Sequence, residues 1–448
     1  MARRRRRRRG DLAGLVTSDY CSWGRWPVPT NQQAQRLWSS HDPMPDSVGT
    51  LLPRGLGRSY GDSCTNSDGT LLLTERLDRF IAFDETSGRL TCEAGTSLDA
   101  ILRAMVPRGW FLPVTPGTRF VTLGGAIAND VHGKNHHVAG TIGRHINRIW
   151  ITRTDSPGDV QALDPSAPLF AATIGGLGLT GLIVAAEITL RRIDSDAIDQ
   201  ETTAFQDIGS FIELSRAASA THEYTVAWFD CLHQGRGIFF RGNHAPADPV
   251  IREPGEPFSP PKIRVPFSAP EILLNRVSVR TFNAAYYWMM RRRAPSRVSC
   301  RPFFYPLDAV QDWNRLYGRR GFLQWQCVVP PDPDARALSE IVRVIASAGV
   351  GSFLSVIKVF GEHISPGMLS FPRPGVTLAV DFAMRGRPTL ALLDRLDAIV
   401  IEAGGAIYPA KDARMSPSTF QRSFPRLSEF TNFLDPRFSS SFWRRVGG

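Results

Sequence analysis

Arg54-Gly55-Leu56-Gly57-Arg58-Ser59-Tyr60-Gly61-Asp62 carries three glycines in seven positions, at Gly55, Gly57 and Gly61. Glycine reaches backbone conformations closed to other residues, so such a run can curl around a polyanion and turn its N–H groups inward. The stretch reads as a phosphate cradle. A second glycine segment, Pro116-Gly117-Thr118-Arg119, leads into Gly124-Gly125-Ala126-Ile127-Ala128-Asn129-Asp130-Val131-His132-Gly133, and a third is Gly175-Gly176-Leu177-Gly178-Leu179-Thr180-Gly181. Three clusters within about 130 residues point to one large phosphate-bearing cofactor spanned by several loops.

Two common motifs fit inside these clusters and fail on context. Gly57-Arg58-Ser59-Tyr60-Gly61 has the spacing of a serine-hydrolase elbow, yet turn-forming residues rather than a helix follow it, from Gly61 to Gly69. Gly176, Gly178 and Gly181 have the Rossmann spacing but run into Leu182-Ile183-Val184-Ala185-Ala186-Glu187-Ile188-Thr189-Leu190, a strand-like segment. Neither a serine hydrolase nor a nicotinamide-binding Rossmann unit is expected.

At 448 residues and 42% hydrophobic content, the chain can bury more than one core. No apolar run approaches the roughly 18 to 20 residues that span a bilayer. Six cysteines at wide, irregular spacings, without a C-x-x-C, read as buried or free thiols in a reducing compartment. Arg3 to Arg9 supply seven of the net +11 charges, which leaves +4 for the rest. This tail is either a solvated arm or a contact for anionic lipid headgroups. It lacks the apolar segment of a twin-arginine export signal, and no recognisable nucleic-acid module follows it.

Ser97 is a candidate N-cap for a helix with Leu98, Ile101, Leu102 and Met105 on its apolar face, closed by Pro107 and Gly109. Segments 69–74, 88–94, 225–229 and 322–329 read as strands, and 336–348 and 389–403 as amphipathic helices. Pro246 to Pro270 is too rich in proline for a regular element, so it is a surface loop, either a lid or a plain insertion.

In order and spacing the three glycine clusters resemble the FAD-binding domain of vanillyl-alcohol-oxidase and p-cresol-methylhydroxylase flavoproteins. The chain is most similar there to the decaprenylphosphoryl-β-D-ribose 2'-oxidase family. Segments 53–62, 116–143, 172–181, 227–230, 304–318, 321–326, 360–375 and 408–414 carry the likeness, with His132-Gly133-Lys134-Asn135-His136-His137 and Ala410-Lys411-Asp412-Ala413-Arg414 as its most specific strings. The resemblance implies an α+β, two-domain flavoprotein. Residues 1–14 would be a basic disordered tail, 15–193 the FAD-binding domain, 194–405 a substrate domain built on an antiparallel sheet flanked by helices, and 406–448 a segment returning to the FAD domain.

By the same resemblance, FAD is held non-covalently, because the first loop has Arg58-Ser59-Tyr60 where relatives with attached flavin often have a histidine. Its contacts would be Arg54, Gly55, Leu56, Gly57, Arg58, Ser59, Tyr60, Gly61, Asp62, Gly117, Thr118, Thr122, Leu123, Gly124, Gly125, Asn129, Asp130, Val131, His132, Ile183 and Tyr408. Lys134, Trp228, Gln324, Gln326, Lys358 and Lys411 would meet substrate, and Lys411, His132 and Tyr60 would serve the reaction. Lys411 would place a cation where the reduced flavin becomes negative. Plainer readings exist: a surface ion pair of Lys411 with Asp412, a solvated Lys134, Tyr60 as a packing wall. The three histidines of 132–137 also raise the thought of a metal site, but they lie in a loop with no cysteine nearby, and no metal is expected.

One departure is Ala379, where the family often carries a cysteine ahead of Val380-Asp381-Phe382. It implies insensitivity to thiol-trapping ligands and loosens the inference to an exact substrate. The expected activity is oxidation of the 2'-hydroxyl of a polyprenyl-phosphoryl-β-D-ribofuranose to the 2'-keto sugar. An NAD(P)H-dependent short-chain reductase would complete epimerisation to the arabinose form, and the enzyme would work in the cytoplasm at the inner face of an anionic membrane. The alternatives are an aldonolactone or alditol oxidase acting on a soluble sugar, and a flavin-free carbohydrate- or lipid-binding protein.

Overall fold

The computed structural model describes residues 16–17, 20–45, 49–233, 235–247 and 263–447. The Arg3–Arg9 run, and most of the proline-rich stretch from Pro246, lie outside them. The fold is α+β, with three principal sheets. A four-stranded sheet contains Gln33–Arg36, Thr70–Leu73 and Leu51–Arg54, paired in parallel. A five-stranded antiparallel sheet is centred on Leu182–Thr189, between Arg89–Glu93 and Ile146–Thr152. The helix before it is Leu98–Met105, capped by the Ser97 side chain accepting from Ala100 N, with Leu98, Ile101, Leu102 and Met105 buried. Gly109, at φ 79°, closes the turn after Pro107 in the left-handed conformation.

The third sheet has eight strands and is antiparallel throughout, from Ser296–Ser299 at one edge to Ala406–Ile407 at the other. Side chains alternate between its faces. On Phe322–Val329 the residues Leu323, Trp325, Cys327 and Val329 point into the larger core, against the helices Arg336–Ala348 and Arg387–Glu402. Trp325 Nε1 donates to Asp397 Oδ1 at 2.7 Å, which satisfies the one polar atom this ring buries. Gln324 and Gln326 therefore face the other way, into the cavity described below.

After Ala406–Ile407 the chain leaves this sheet and packs on the glycine-loop half. Leu51 N donates to Arg437 O at 2.8 Å and Ser439 N to Leu51 O at 2.9 Å. Arg445 clamps two carboxylates, donating to Asp62 Oδ1 at 2.7 Å and to Asp412 Oδ2 at 3.0 Å. Both acids are buried, at 3% and 6% exposure. All six cysteines are free thiols.

Removing Arg445 would leave two neighbouring buried carboxylates without their cation, a loss on the order of 3 kcal/mol. Arg445→Ala should lower the unfolding free energy by about that amount in a denaturant titration. An unchanged midpoint would mean the clamp contributes nothing.

Candidate active site

A single cavity of about 700 Å³ runs between the glycine loops and the face of the eight-stranded sheet opposite its helices. Its size is that of a pocket enclosing a whole organic ligand. The loop after Leu51–Arg54 forms one wall. Gly57 sits at φ 60°, a left-handed turn for which glycine is suited. The five consecutive amides from Gly55 to Ser59 have no hydrogen-bond acceptor among the described residues. Unpaired N–H groups lining a concave wall form a nest for an anion.

The neighbouring side chains are already committed. Arg54 donates to Cys64 O at 2.6 Å and Cys21 O at 2.7 Å, so it braces the loop. Arg58 lies over the Trp23 ring, 4.0 Å from its centroid. Cys64 lines the cavity too, but burial pushes its thiol up, away from the reactive thiolate.

The second glycine cluster enters a short helix, Leu123–Ala128, whose N-cap Thr122 accepts from Gly125 N at 3.1 Å. Its other first amides donate to Thr96 O and Ala94 O. This helix start thus has no free donors, and the 55–59 loop carries them. Asp308 shapes the adjoining loop by accepting from Thr118 Oγ1 at 2.7 Å and from Arg119 N at 2.9 Å.

The floor is set by strand register. Gln324 pairs with Asp381, Gln326 with Ala379 and Lys358 with Thr377. Thr377 donates its hydroxyl proton to Cys327 O at 2.8 Å, so its oxygen accepts from Gln326 Nε2 at 3.1 Å. The same amide donates to His132 Nε2 at 3.0 Å. His132 then carries its proton on Nδ1, which has no partner among the described residues. Burial, then the nearby Lys358, lower its pKa well below the ordinary imidazole value, so the ring is neutral.

Three lysines meet here. Lys411 Nζ donates to Gln324 Oε1 and lies 4.4 Å from the centroid of Tyr60. Gln324 in turn donates to Asp381 Oδ1 at 2.6 Å, and Tyr317 OH donates to Asp381 Oδ2 at 3.1 Å. Burial lowers the Lys411 ammonium, with Asp381 opposing, and raises the Asp381 carboxyl. Lys358 donates to Gly133 O at 3.2 Å, and Lys134 donates to Phe303 O. Burial takes both of them down to about 7. Such amines gain most from an arriving anion, because they have lost their water.

Residues 47–155 match the FAD binding domain family. The chain is 35% identical over 421 residues to the decaprenylphosphoryl-β-D-ribose oxidase of Mycolicibacterium smegmatis, covering 88% of this chain and 89% of that protein. The chain belongs to the decaprenylphosphoryl-β-D-ribose oxidase family. It is also 31% identical over 371 residues to an uncharacterised protein from the mprA 5' region of Streptomyces coelicolor, covering 78% of this chain and 100% of that one. A weaker likeness, 25% over 163 residues and 36% of each chain, is to an uncharacterised oxidoreductase of the fasciation locus of Rhodococcoides fascians. As a member of this oxidase family the protein is an FAD-dependent oxidoreductase, which sets the flavin-free alternative aside. The 55–59 amides fit the group: they offer a dinucleotide's phosphates the donors that the protein leaves unpaired.

Most of the residues expected at the site line this one cavity: Arg54 to Tyr60, Gly117, Thr118, Thr122, Gly124, Gly125, Asn129, Val131, His132, Ile183 and Tyr408, with Lys134, Trp228, Gln324, Gln326, Lys358 and Lys411. Four do not line it, and their expected contact with FAD is corrected. Gly61 is pressed against the backbone of Asp412, where a Cβ would collide with its carbonyl. Asp62 faces Arg445. Leu123 is wholly in the hydrophobic core. Asp130 accepts from Gly143 N at 3.0 Å, Ser365 Oγ at 2.5 Å and Ser370 Oγ, so it ties the loop down from behind. Lys411 does not pair with Asp412, which Arg445 holds instead. The histidines part company: His132 meets Gln326, His136 lies tilted against Phe360 with ring centroids 4.4 Å apart, and His137 meets His222 O at 2.9 Å.

Asp381 and Thr377 orient the floor and were absent from the expected set. The signal was available, since the alternation Gln324-Trp325-Gln326 opposite Thr377-Leu378-Ala379-Val380-Asp381 marks a strand pair with one polar and one apolar face. Ala379 itself lines the cavity. A thiol-directed reagent that fits the cavity should leave the wild type unlabelled, and Ala379→Cys should gain one adduct by mass spectrometry. Labelling of the wild type at Cys64 would contradict the burial argument.

Proposed function

We propose that this oxidase acts on the 2'-hydroxyl of a polyprenyl-phosphoryl-β-D-ribofuranose and forms the 2'-keto sugar. The observation that carries this reading is the convergence of Lys134 and Lys358 on one cavity beside an apolar wall of Trp228, Tyr286 and Phe303. A soluble alditol has no need of two buried amines, whereas a sugar phosphate on a lipid chain needs both a cationic and an apolar surface. FAD, held without a covalent bond, would supply the acceptor for the hydride from C2', and the proton of the 2'-hydroxyl would pass to solvent.

The residues have separable parts in this proposal. The 55–59 amides hold phosphate, and Lys134 and Lys358 hold the substrate phosphate. The neutral His132 offers its Nδ1–H as a donor within the cavity. Lys411, kept in place by Gln324, supplies positive charge as negative charge develops. Trp228 is itself fixed, donating from Nε1 to Phe353 O at 3.1 Å. A short-chain reductase using NAD(P)H would consume the keto product, and the enzyme would stand on the cytoplasmic face of the membrane. No helix among the described residues is long and apolar enough to cross a membrane.

Anaerobic mixing with polyprenyl-phosphoryl ribose should bleach the flavin, while free alditols and aldonolactones should not. Bleaching by the soluble sugars alone would replace this reading with the alditol one. Lys411→Ala should slow single-turnover bleaching by roughly 10²-fold with FAD still bound, the scale for one preorganised electrostatic group. Because burial lowers the Lys411 ammonium, its cation is lost as pH rises through a value below that of a free lysine. The wild-type rate should therefore fall at alkaline pH, and the alanine variant should lack that limb. Acid precipitation should release all the flavin into the supernatant; colour left in the pellet would contradict non-covalent binding.

A further inference from the structure

The helix Arg276–Met290 is held by one face and bare on the other. Asn275 caps it, accepting from Val277 N and Ser278 N. Its inner face is pinned where Asn283 Nδ2 donates to Asp230 Oδ1 at 3.0 Å and to Ser352 O at 3.2 Å. Its outer face exposes Val277 at 74%, Phe282 at 49%, Trp288 at 54% and Met289 at 65%, continuous with Ile272 at 78% and Leu273 at 57% on the preceding turn. A patch this apolar on a well-anchored element marks an interaction surface.

The charge along this stretch is positive, with Glu271, which pairs with Arg320, at its border. From residue 272 to 307 the chain contains seven arginines and neither aspartate nor glutamate. The guanidiniums of Arg276, Arg280, Arg292 and Arg293 form no ion pair or hydrogen bond among the described residues. Arg291 lies over the Trp288 ring, 3.3 Å from its centroid. A helix with tryptophan and aliphatic residues on one face, unpaired arginines at both ends and no acid has the composition of one that lies in a lipid interface. The inner end of the same helix reaches the active site, because Tyr286, Met289, Met290 and Arg293 line the cavity.

The geometry points to this helix, with the turn at Ile272 and Leu273, as the surface by which the enzyme sits on an anionic lipid bilayer. The cavity then opens at the membrane, so a phosphoryl sugar can enter while its hydrocarbon chain stays among the lipids. That second clause rests on the lipid-linked substrate proposed above; the docking itself does not.

The test is co-sedimentation of the full-length holoenzyme with substrate-free vesicles, either phosphatidylglycerol with phosphatidylcholine or phosphatidylcholine alone. Wild type should bind the anionic vesicles, release in high salt and ignore the neutral ones. Two variants address the patch, Val277→Glu with Trp288→Glu for its apolar part and Arg280→Glu with Arg292→Glu for its charge. Each should weaken binding at least about tenfold. None of the four residues lines the cavity, so FAD content and melting temperature should match wild type. Vesicle binding by both variants equal to wild type overturns the proposal, as does wild type that stays in the supernatant. A face that instead holds a second copy or another protein would show as a concentration-dependent mass lost in the variants while vesicle binding is unchanged, which also overturns it. The two proposals separate cleanly. Vesicle binding without flavin bleaching by any polyprenyl-phosphoryl sugar defeats the substrate and keeps the docking; bleaching without vesicle binding does the reverse.

Discussion

The register between Phe322–Val329 and Gly375–Ala383 governs the site. With Gln324 opposite Asp381 and Gln326 opposite Ala379, Gln324, Gln326, Thr377 and Asp381 share the cavity side of the pair, and Leu323, Trp325, Leu378 and Val380 face the helices. A slip of one residue would invert both sets at once. The core on the far face, with Leu323, Trp325, Leu378 and Val380 all nearly inaccessible, makes such a slip prohibitive. The packing of a region with no catalytic duty thereby fixes where Gln324 and Gln326 point, and through them the orientation of Lys411 and the tautomer of His132.

A second constraint is desolvation. Lys134, Lys358 and Lys411 have each given up water for one protein oxygen, and each is left a weaker acceptor of protons than in solution. Only Lys411 has a carboxylate, Asp381, acting on it through a shared glutamine. Lys358 has Gly133 O and the Phe360 ring, with the fields of Lys411 and Lys134 against it, and Lys134 has Phe303 O and the Phe303 ring. Tension of this kind is relieved by an anion, so the burial that disfavours the three charges favours a negatively charged guest.

Much of this was legible in the chain. Glycine spacing around residue 57 announced a loop that turns its N–H groups inward, the Ser97 cap announced its helix, and the run 182–190 was rightly a strand and not the helix of a Rossmann unit. The errors share a cause. Asp62 and Asp130 stand inside the right motifs, but a carboxylate beside a phosphate loop can brace the loop from behind as readily as face the ligand. Which it does depends on partners far along the chain, Arg445 for one and Ser365 and Ser370 for the other. Asp381 went unassigned for the converse reason: its part is visible only when the strand opposite is known. The amphipathic helix at 276–290 has a weak periodic signal, because its exposed face is apolar as well as its buried one.

Tyr408 and Lys411 are carried by a segment that Arg445 clamps to Asp62, far along the chain from the glycine loop. The glycine loop, by contrast, is complete before residue 62. A ribosome therefore exposes the glycine-loop wall hundreds of residues before the cationic floor can close against it. Closure of the pocket waits for the segment after Ile407, and a chain interrupted before Lys411 has the glycine loop without that lysine.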